Sequence, residues 1–554
     1  MKKTFDTVWG LDFGTTTTYL SESDFVGSHK YSLRQAGGSR EYVPSVVMPT
    51  DAGFTVGEAA IDFSEEEILR SIKRAITLRR ETLPIPEASE MKTDKDDGPV
   101  NADDAIRALL AEIRKIARRD IGDNPVRLGC PAMWDAQQRQ RLLRLAKEAG
   151  FEIQYDTLID EPVAACIGWF EAELRNKRRP SGTTLVFDMG GGTLDVAALK
   201  INADHDSPEI YVLGSDGIDE AGDALDAAIS RVLLEKEDVG SDRFAALTRN
   251  PGSLRRASRL LKEQLGGSIT TSTKLRLGDG QVFDLELTED DLRSAFEPQF
   301  KRAMDLVTVV LRIAKTTEWR SNAMTGPELR SLSRADLLPQ VTNFLLVGGM
   351  SQMPLLRKML IENGVASNII FGGEVIDADA AVSLGLALDR DYDHLSLDRP
   401  GFNFELQWTE SGQPKTEVIY EAYSKLYTKQ QAVDGSQLKL TWLNDKFTRG
   451  NSDTGQAVFC ARTTRGEILE LTFDGELKVG LGPSFTFGLE KTPVIIIQPN
   501  GRIFLRDATG AEMAMKVTRW PVINVSRSRT LLIQRSDATG DHVNGLAWHE
   551  RPYD

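Results

Sequence analysis

The residues best suited to chemistry lie in TTLVFDMGGGTLDVAALK, where Asp188 precedes Gly190, Gly191 and Gly192, followed by Thr193 and Asp195. Glycines carry no Cβ, so a turn can close tightly and its backbone can approach a ligand. Successive N–H groups in such a turn form a concave anion site. A carboxylate at each end of a phosphate cradle suits hydrated Mg²⁺, which takes one or two carboxylates with phosphate oxygens and water. VWGLDFGTTTTYL, from Val8 to Leu20, repeats the plan with Asp12, Gly14, Thr15, Thr16 and Thr17. Either stretch alone also reads as an ordinary glycine-rich hairpin. Together they predict two similar halves closing on one phosphate chain.

The surrounding elements must position these groups. The segment from Ser64 to Arg80 reads as a helix capped by Ser64 with Glu67 three residues on. It carries Ile68, Ile72 and Ile76 at helical spacing, with Lys73 among them. An amphipathic helix is predicted from Asp103 to Arg119, a strand from Val126 to Cys130 ended by Pro131, and a helix from Asp135 to Ala149. Glu161-Pro162 opens a further helix, where an acidic residue is favoured by the helix dipole whatever else it does. Helices from Asp219 to Glu237, Leu254 to Leu265, Thr288 to Lys315 and Asp379 to Leu388, with a strand running into Gly348-Gly349, continue an α/β pattern to about Asp389. A polar linker follows over 391–400. Beyond it, alternating stretches such as Phe402–Trp408, Ile468–Leu481 and Val494–Leu505 predict a β-rich, sandwich-like domain over 401–554 without a helical lid.

The chain has 554 residues, a formal charge of −15 and 41% hydrophobic content. That length predicts more than one domain. The acidic balance argues against a general nucleic-acid or anionic-membrane binder. Three scattered cysteines, Cys130, Cys166 and Cys460, give neither a disulfide framework nor a zinc site. No run approaches the ~18 apolar residues of a membrane helix. The N-terminus has no apolar signal core, so a cytoplasmic location is expected. Five histidines, none clustered, disfavour histidine-based hydrolysis or metal chemistry.

Five stretches stand in an order that resembles the nucleotide-binding domain of the seventy-kilodalton heat-shock chaperones. They are Asp12-Phe13-Gly14-Thr15-Thr16, Ile72-Lys73-Arg74, Asp160-Glu161-Pro162-Val163-Ala164-Ala165, Asp188 through Asp195, and Val347-Gly348-Gly349 with Asp379-Ala380-Ala381-Val382. The likeness covers about 4–389 and implies an actin-like ATPase fold over 1–390. It implies ATP or ADP with Mg²⁺ as ligands, with Asp12 and Asp188 holding the metal through water. Thr15, Thr16, Thr17, Gly14 and the Gly190–Gly192 turn would surround the phosphates. Lys73 would stabilise γ-phosphoryl charge, and Glu161, Thr193 and Asp195 would orient the attacking water. Lys262, Glu263, Gly348, Gly349, Met350 and Asp379 would complete the nucleotide site. Pro131 and Arg139 match positions that carry the nucleotide signal toward the linker.

The sequence departs from the family at the base. Arg259, Lys262 and Glu263 stand where the family has a glutamate, a lysine and an arginine; Met350 and Gln352 replace a serine and an arginine. The resemblance therefore implies an ATP-hydrolysing, chaperone-like switch acting on a protein client or dedicated partner, with co-chaperones possible. A nucleotide-sensing scaffold with little turnover, and an actin-like filament former, are the competing readings.

Overall fold

The computed structural model describes residues 7–23, 28–30, 41–63, 67–83, 99–153, 158–202, 209–317, 326–365, 369–371, 376–388, 393–396, 399–428, 430–431, 439–443, 452–463, 466, 468, 470–473, 476–478, 484–486, 493–499, 501–519 and 530–535. Its first sheet runs Ile159–Asp160, Val126–Cys130, Trp9–Phe13, Thr17–Ser23, Ser28–Lys30. The second runs Ile369–Phe371, Val341–Val347, Gly182–Met189, Leu194–Asn202, Glu209–Ile218, Asp393–Ser396. In each, the strand entering the glycine turn pairs antiparallel with the strand leaving it and parallel with a strand from far along the chain. The internal repeat seen in the sequence is thus a repeated topology, and each sheet anchors one lobe.

Two helices separate the sheets. Glu161–Arg175 packs on the second sheet, burying Val163, Ile167 and Phe170 against Val186, Ala197 and Leu199. Ala381–Leu386 packs across the first sheet. The two helices cross so closely that a Cβ on Gly385 would lie 1.8 Å from the Ala164 carbonyl oxygen. Such contact leaves only hydrogen at that position. The crossing fixes the base of the cleft between the lobes.

The helix expected from Ser64 to Arg80 is not formed. Leu69–Arg70 is instead a short strand paired with Val46–Val47. Ser71 then adopts the left-handed φ of 56°, and only Arg74–Thr77 is helical. Ser64 lies outside the described residues. Ile68, Ile72 and Ile76 are all buried, so the apolar spacing is satisfied by tertiary packing of a strand, a turn and one helical turn. Elsewhere the helices follow their signals: Ala136–Glu148 begins with a capping box between Asp135 and Gln138, and Glu289–Thr317 begins where Thr288 and Asp291 bond reciprocally.

The stretch read as a linker contributes Asp393–Ser396, which adds to the edge of the second sheet. Among the described residues after 400 the structure is strands and turns, apart from 430–431, which are helical. Two sheets, one centred on Phe402–Glu410 and Gln456–Thr463 and the other on Val494–Ile497 and Arg502–Arg506, bury Phe404, Phe459, Ile495, Ile497 and Ile503 in one core. That core is continuous with Val309, Ile313 and Leu329 of the second lobe. The β region is therefore seated on the long helix Glu289–Thr317 by apolar contact. Among the described residues, no helix is long and apolar enough to cross a membrane.

Candidate active site

The two glycine turns face each other across the cleft. A Cβ on Gly191 would lie 2.0 Å from the Thr16 hydroxyl, and one on Gly192 would lie 2.5 Å from that of Thr15. The turns are closed by Gly190 N–H donating to the Thr193 carbonyl (3.1 Å) and by Gly14 N–H donating to the Asp12 carbonyl (3.1 Å). Ser45 props the first turn, its hydroxyl donating to the Gly14 carbonyl at 2.8 Å. A cleft of about 300 Å³ opens from these turns. It is lined on the phosphate side by Asp12, Gly14, Thr15, Thr16, Thr17, Lys73, Glu161, Asp188, Gly190, Gly191 and Thr193. Lys262, Glu263, Gly348, Gly349, Met350 and Asp379 line its other end.

Gly192 and Asp195 stand behind this wall. Asp195 is 1% exposed and accepts a hydrogen bond from Ala132 N–H at 2.8 Å, next to Pro131. Lys73 is buried, its Nζ 2.5 Å from Glu161 Oε1. The ammonium also lies 5.7 Å from the centre of the Trp134 ring. Trp134 is in turn fixed by its indole N–H donating to the Thr77 hydroxyl at 3.1 Å. Gln138 donates to the Ile76 and Thr77 carbonyls, which holds the short helix that directly follows Lys73.

The electrostatics are unbalanced. Three buried carboxylates, Glu161, Asp188 and Asp195, and the half-buried Asp12 share one lysine. Burial, then the charge of Glu161, pushes Asp12 and Asp195 up to about 7. The same two causes raise Asp188 well above the usual carboxylate range. Burial pulls the Lys73 ammonium down, but Glu161 and Asp12 outweigh it, and its pKa is raised. A like-charged cluster held out of water gains by binding a cation. Among the described residues no three acidic, histidine or cysteine side chains converge to ligate a metal directly.

At the base end the sequence-predicted cations do not point freely into the cleft. Arg259 Nε donates to Asp226 Oδ2 at 3.0 Å, and Lys262 Nζ lies 2.7 Å from Asp226 Oδ1. Asp226 itself is 1% exposed. Asp223 and Asp226, together with Tyr19 and Tyr42, line the cleft and were not singled out by the sequence reading. The two acids stand three residues apart in Gly222–Glu235; Asp223 is indistinguishable from an ordinary first-turn acid, and Asp226 lies one turn further on.

From this site two connections run to the β region. Arg139, 4% exposed, donates to Asp160 Oδ1 at 2.6 Å and to the Trp134 carbonyl at 2.9 Å. Its guanidinium lies 4.4 Å from the centre of the Tyr423 ring. On the other lobe Asp195 faces Gly217 across the sheet. The neighbouring Asp216 receives Lys425 Nζ at 2.5 Å. One loop of the β region, around 421–428, thus touches both lobes beneath the cleft.

Opposed glycine turns on two repeated lobes, with buried acids and a lysine between them, define a two-lobed nucleotide-binding fold of the actin-like class. A family model described as Hsp70 protein matches residues 8–391, and the chain belongs to that family. It is similar to the chaperone protein DnaK of Thermotoga neapolitana, with 28% identity over 408 residues, covering 70% of this chain and 59% of that one. DnaK of Metamycoplasma hominis matches at 27% identity over 404 residues (71% and 61%). The chaperone protein HscA homolog of Bordetella petrii matches at 25% over 399 (68% and 57%). The matches thus span about three fifths of the relatives' own length.

Proposed function

We propose that this chain binds ATP with Mg²⁺, hydrolyses it slowly, and uses the nucleotide state to set how the β region after 400 engages a protein client or dedicated partner, as a chaperone does. The observation that carries this reading is the cluster of Lys73 with the buried Glu161, Asp188 and Asp195 and the half-buried Asp12 between two opposed glycine turns. Charge and shape fit the group: the turns leave no room for a Cβ, and the acids need a cation. Asp12 and Asp188 would hold Mg²⁺ through water, and the bound ion would neutralise phosphate charge. Thr15, Thr16 and the Gly190–Gly192 turn, whose Gly190 N–H is already given to the Thr193 carbonyl, would bind phosphate oxygens. Lys73, released in part from Glu161, would face the γ-phosphoryl. Glu161, Thr193 and Asp195 would orient the attacking water, whose proton would pass to a carboxylate of the cluster. Positioning and electrostatics of this kind supply most of the catalysis in phosphoryl transfer.

The link to the β region rests on the loop that meets Arg139 and Asp216. Asp160 adjoins Glu161 in sequence, and Asp216 adjoins the strand position opposite Asp195. A shift of one lobe against the other on nucleotide binding would strain at least one of these ties. Calorimetric titration of ATP and ADP with Mg²⁺, read beside amide exchange in 399–428, tests the proposal. It expects binding of both nucleotides and different exchange in the two states. Binding without any change in 399–428 would overturn the coupling.

A second reading draws on the base end. Arg259 and Lys262 are both engaged by Asp226, and Glu263 stands where the family pattern has an arginine. A nucleotide-sensing scaffold with little turnover fits that arrangement. Tight binding without hydrolysis would favour it; a preference for GTP would show instead that the altered base end changed the ligand.

A further inference from the structure

Ser71 and Asp223 meet across the mouth of the cleft. Ser71 belongs to the first lobe and stands two residues before Lys73. Asp223 belongs to the second, at the start of the helix Gly222–Glu235. The Ser71 hydroxyl donates to Asp223 Oδ2. Beside this bond, Arg74 Nη2 reaches the Asp219 carbonyl at 3.4 Å and its carboxylate at 3.7 Å. Both cross-lobe contacts come from residues flanking Lys73. Both end on the segment that follows the phosphate turn in space, because Gly222 N–H and Asp223 N–H donate to the Gly190 and Gly191 carbonyls at 3.2 and 2.7 Å.

Ser71 makes its bond from a left-handed backbone, which a residue with a Cβ adopts only when its surroundings hold it there. The Asp223 carboxylate is also shared: Arg259 Nη2 lies 3.8 Å from its Oδ1, and Arg259 is bonded to Asp226. A continuous polar line therefore runs from the Lys73 segment, across the cleft, to the base end of the pocket.

We infer that Ser71–Asp223, supported by Arg74–Asp219, is a latch that closes the two lobes over the nucleotide and positions Lys73 against the phosphate turns. Ser71, Arg74 and Asp223 are positioning residues that act through Lys73 and through the closed lobes. Asp223 Oδ2 accepts from Ser71 while its Oδ1 faces Arg259, so the Lys73 segment and the base end of the cleft share one carboxylate. The inference rests on the nucleotide-binding reading above.

The test uses the full chain with a fluorescent methylanthraniloyl-labelled ATP and Mg²⁺. It compares wild type with Ser71→Ala, Asp223→Ala and Asp223→Asn, and includes amide exchange over 67–78 without nucleotide. A hydrogen bond to a carboxylate is strong enough that its loss should speed nucleotide release by about tenfold in both alanine variants. Single-turnover hydrolysis should slow severalfold. Asp223→Asn retains an acceptor oxygen and should restore release to within about threefold of wild type. Exchange over 67–78 should rise in Ser71→Ala with no nucleotide present. Release and exchange unchanged in both alanine variants would overturn the latch. So would Asp223→Asn behaving like Asp223→Ala in both readouts. If the wild type bound no nucleotide, the proposed function would fall, and exchange alone would decide whether the lobes are latched.

Discussion

Replacing Tyr423 tests the tie between the first lobe and the β region. Its ring lies 4.4 Å from a buried guanidinium, and a desolvated cation–π contact of this kind contributes about 2 kcal/mol. Tyr423→Ala loses it, together with the ring's packing. Arg139 keeps Asp160 and the Trp134 carbonyl, so no charge is stranded and the total cost should stay near 2–3 kcal/mol. Tyr423→Phe keeps the ring face and should fall within about 0.5 kcal/mol of wild type. The backbone adds a distinguishing feature. Tyr423 has a φ of 62°, which glycine accepts readily, so Tyr423→Gly should be about 1 kcal/mol less damaging than Tyr423→Ala. Native-state amide exchange over 399–428 reports this local opening free energy directly. If phenylalanine were as damaging as alanine, the ring face would not be the tie. If glycine were worse than alanine, the backbone argument would fail.

Further outcomes follow from the same geometry. Lys425→Met keeps the stem but removes the charge from Asp216, whose side chain is 2% exposed while that of Lys425 is 33% exposed; discounted for that exposure, about 2 kcal/mol of stability should be lost in thermal unfolding, and a loss below ~0.5 would refute the tie. At Gly348 the φ is 82° and a Cβ would lie 2.5 Å from Asp188 Oδ1. Gly348→Ala should therefore weaken Mg-dependent ADP binding by about tenfold in calorimetry, and unchanged affinity would contradict it. Asp195 titrates near 7 in the fold against 3.8 unfolded. The folded state thus binds more protons between those values, and this group's contribution to stability falls as pH rises from about 4 to 7. Asp195→Asn should raise the melting temperature of the nucleotide-free protein more at pH 7.5 than at pH 5.5; equal shifts at both would refute the assignment.

Much of the nucleotide-binding part was legible because its signals are local. Each glycine turn declares itself by residue type, and the strands on either side are short apolar runs. The order of motifs along the chain then implied the two-lobed plan. The segment around Lys73 was misread because Ile68, Ile72 and Ile76 fit a helical period, while strand pairing with Val46–Val47 and the left-handed Ser71 depend on contacts made far along the chain. Asp223 and Asp226 were missed for a related reason: only the fold brings the start of their helix to the cleft. The seat of the β region on Val309 and Ile313 was equally hidden, since both look like ordinary core positions of a long helix.

The most direct test of the account is single-turnover hydrolysis of ATP with Mg²⁺ by wild type and Lys73→Ala. The account predicts slow, complete turnover by the wild type and a loss on the order of 10²–10³ in rate for the variant, as expected when one preorganised charge-stabilising group is removed. Turnover that persists unchanged without Lys73, or ATP bound tightly by the wild type and never cleaved, would contradict it.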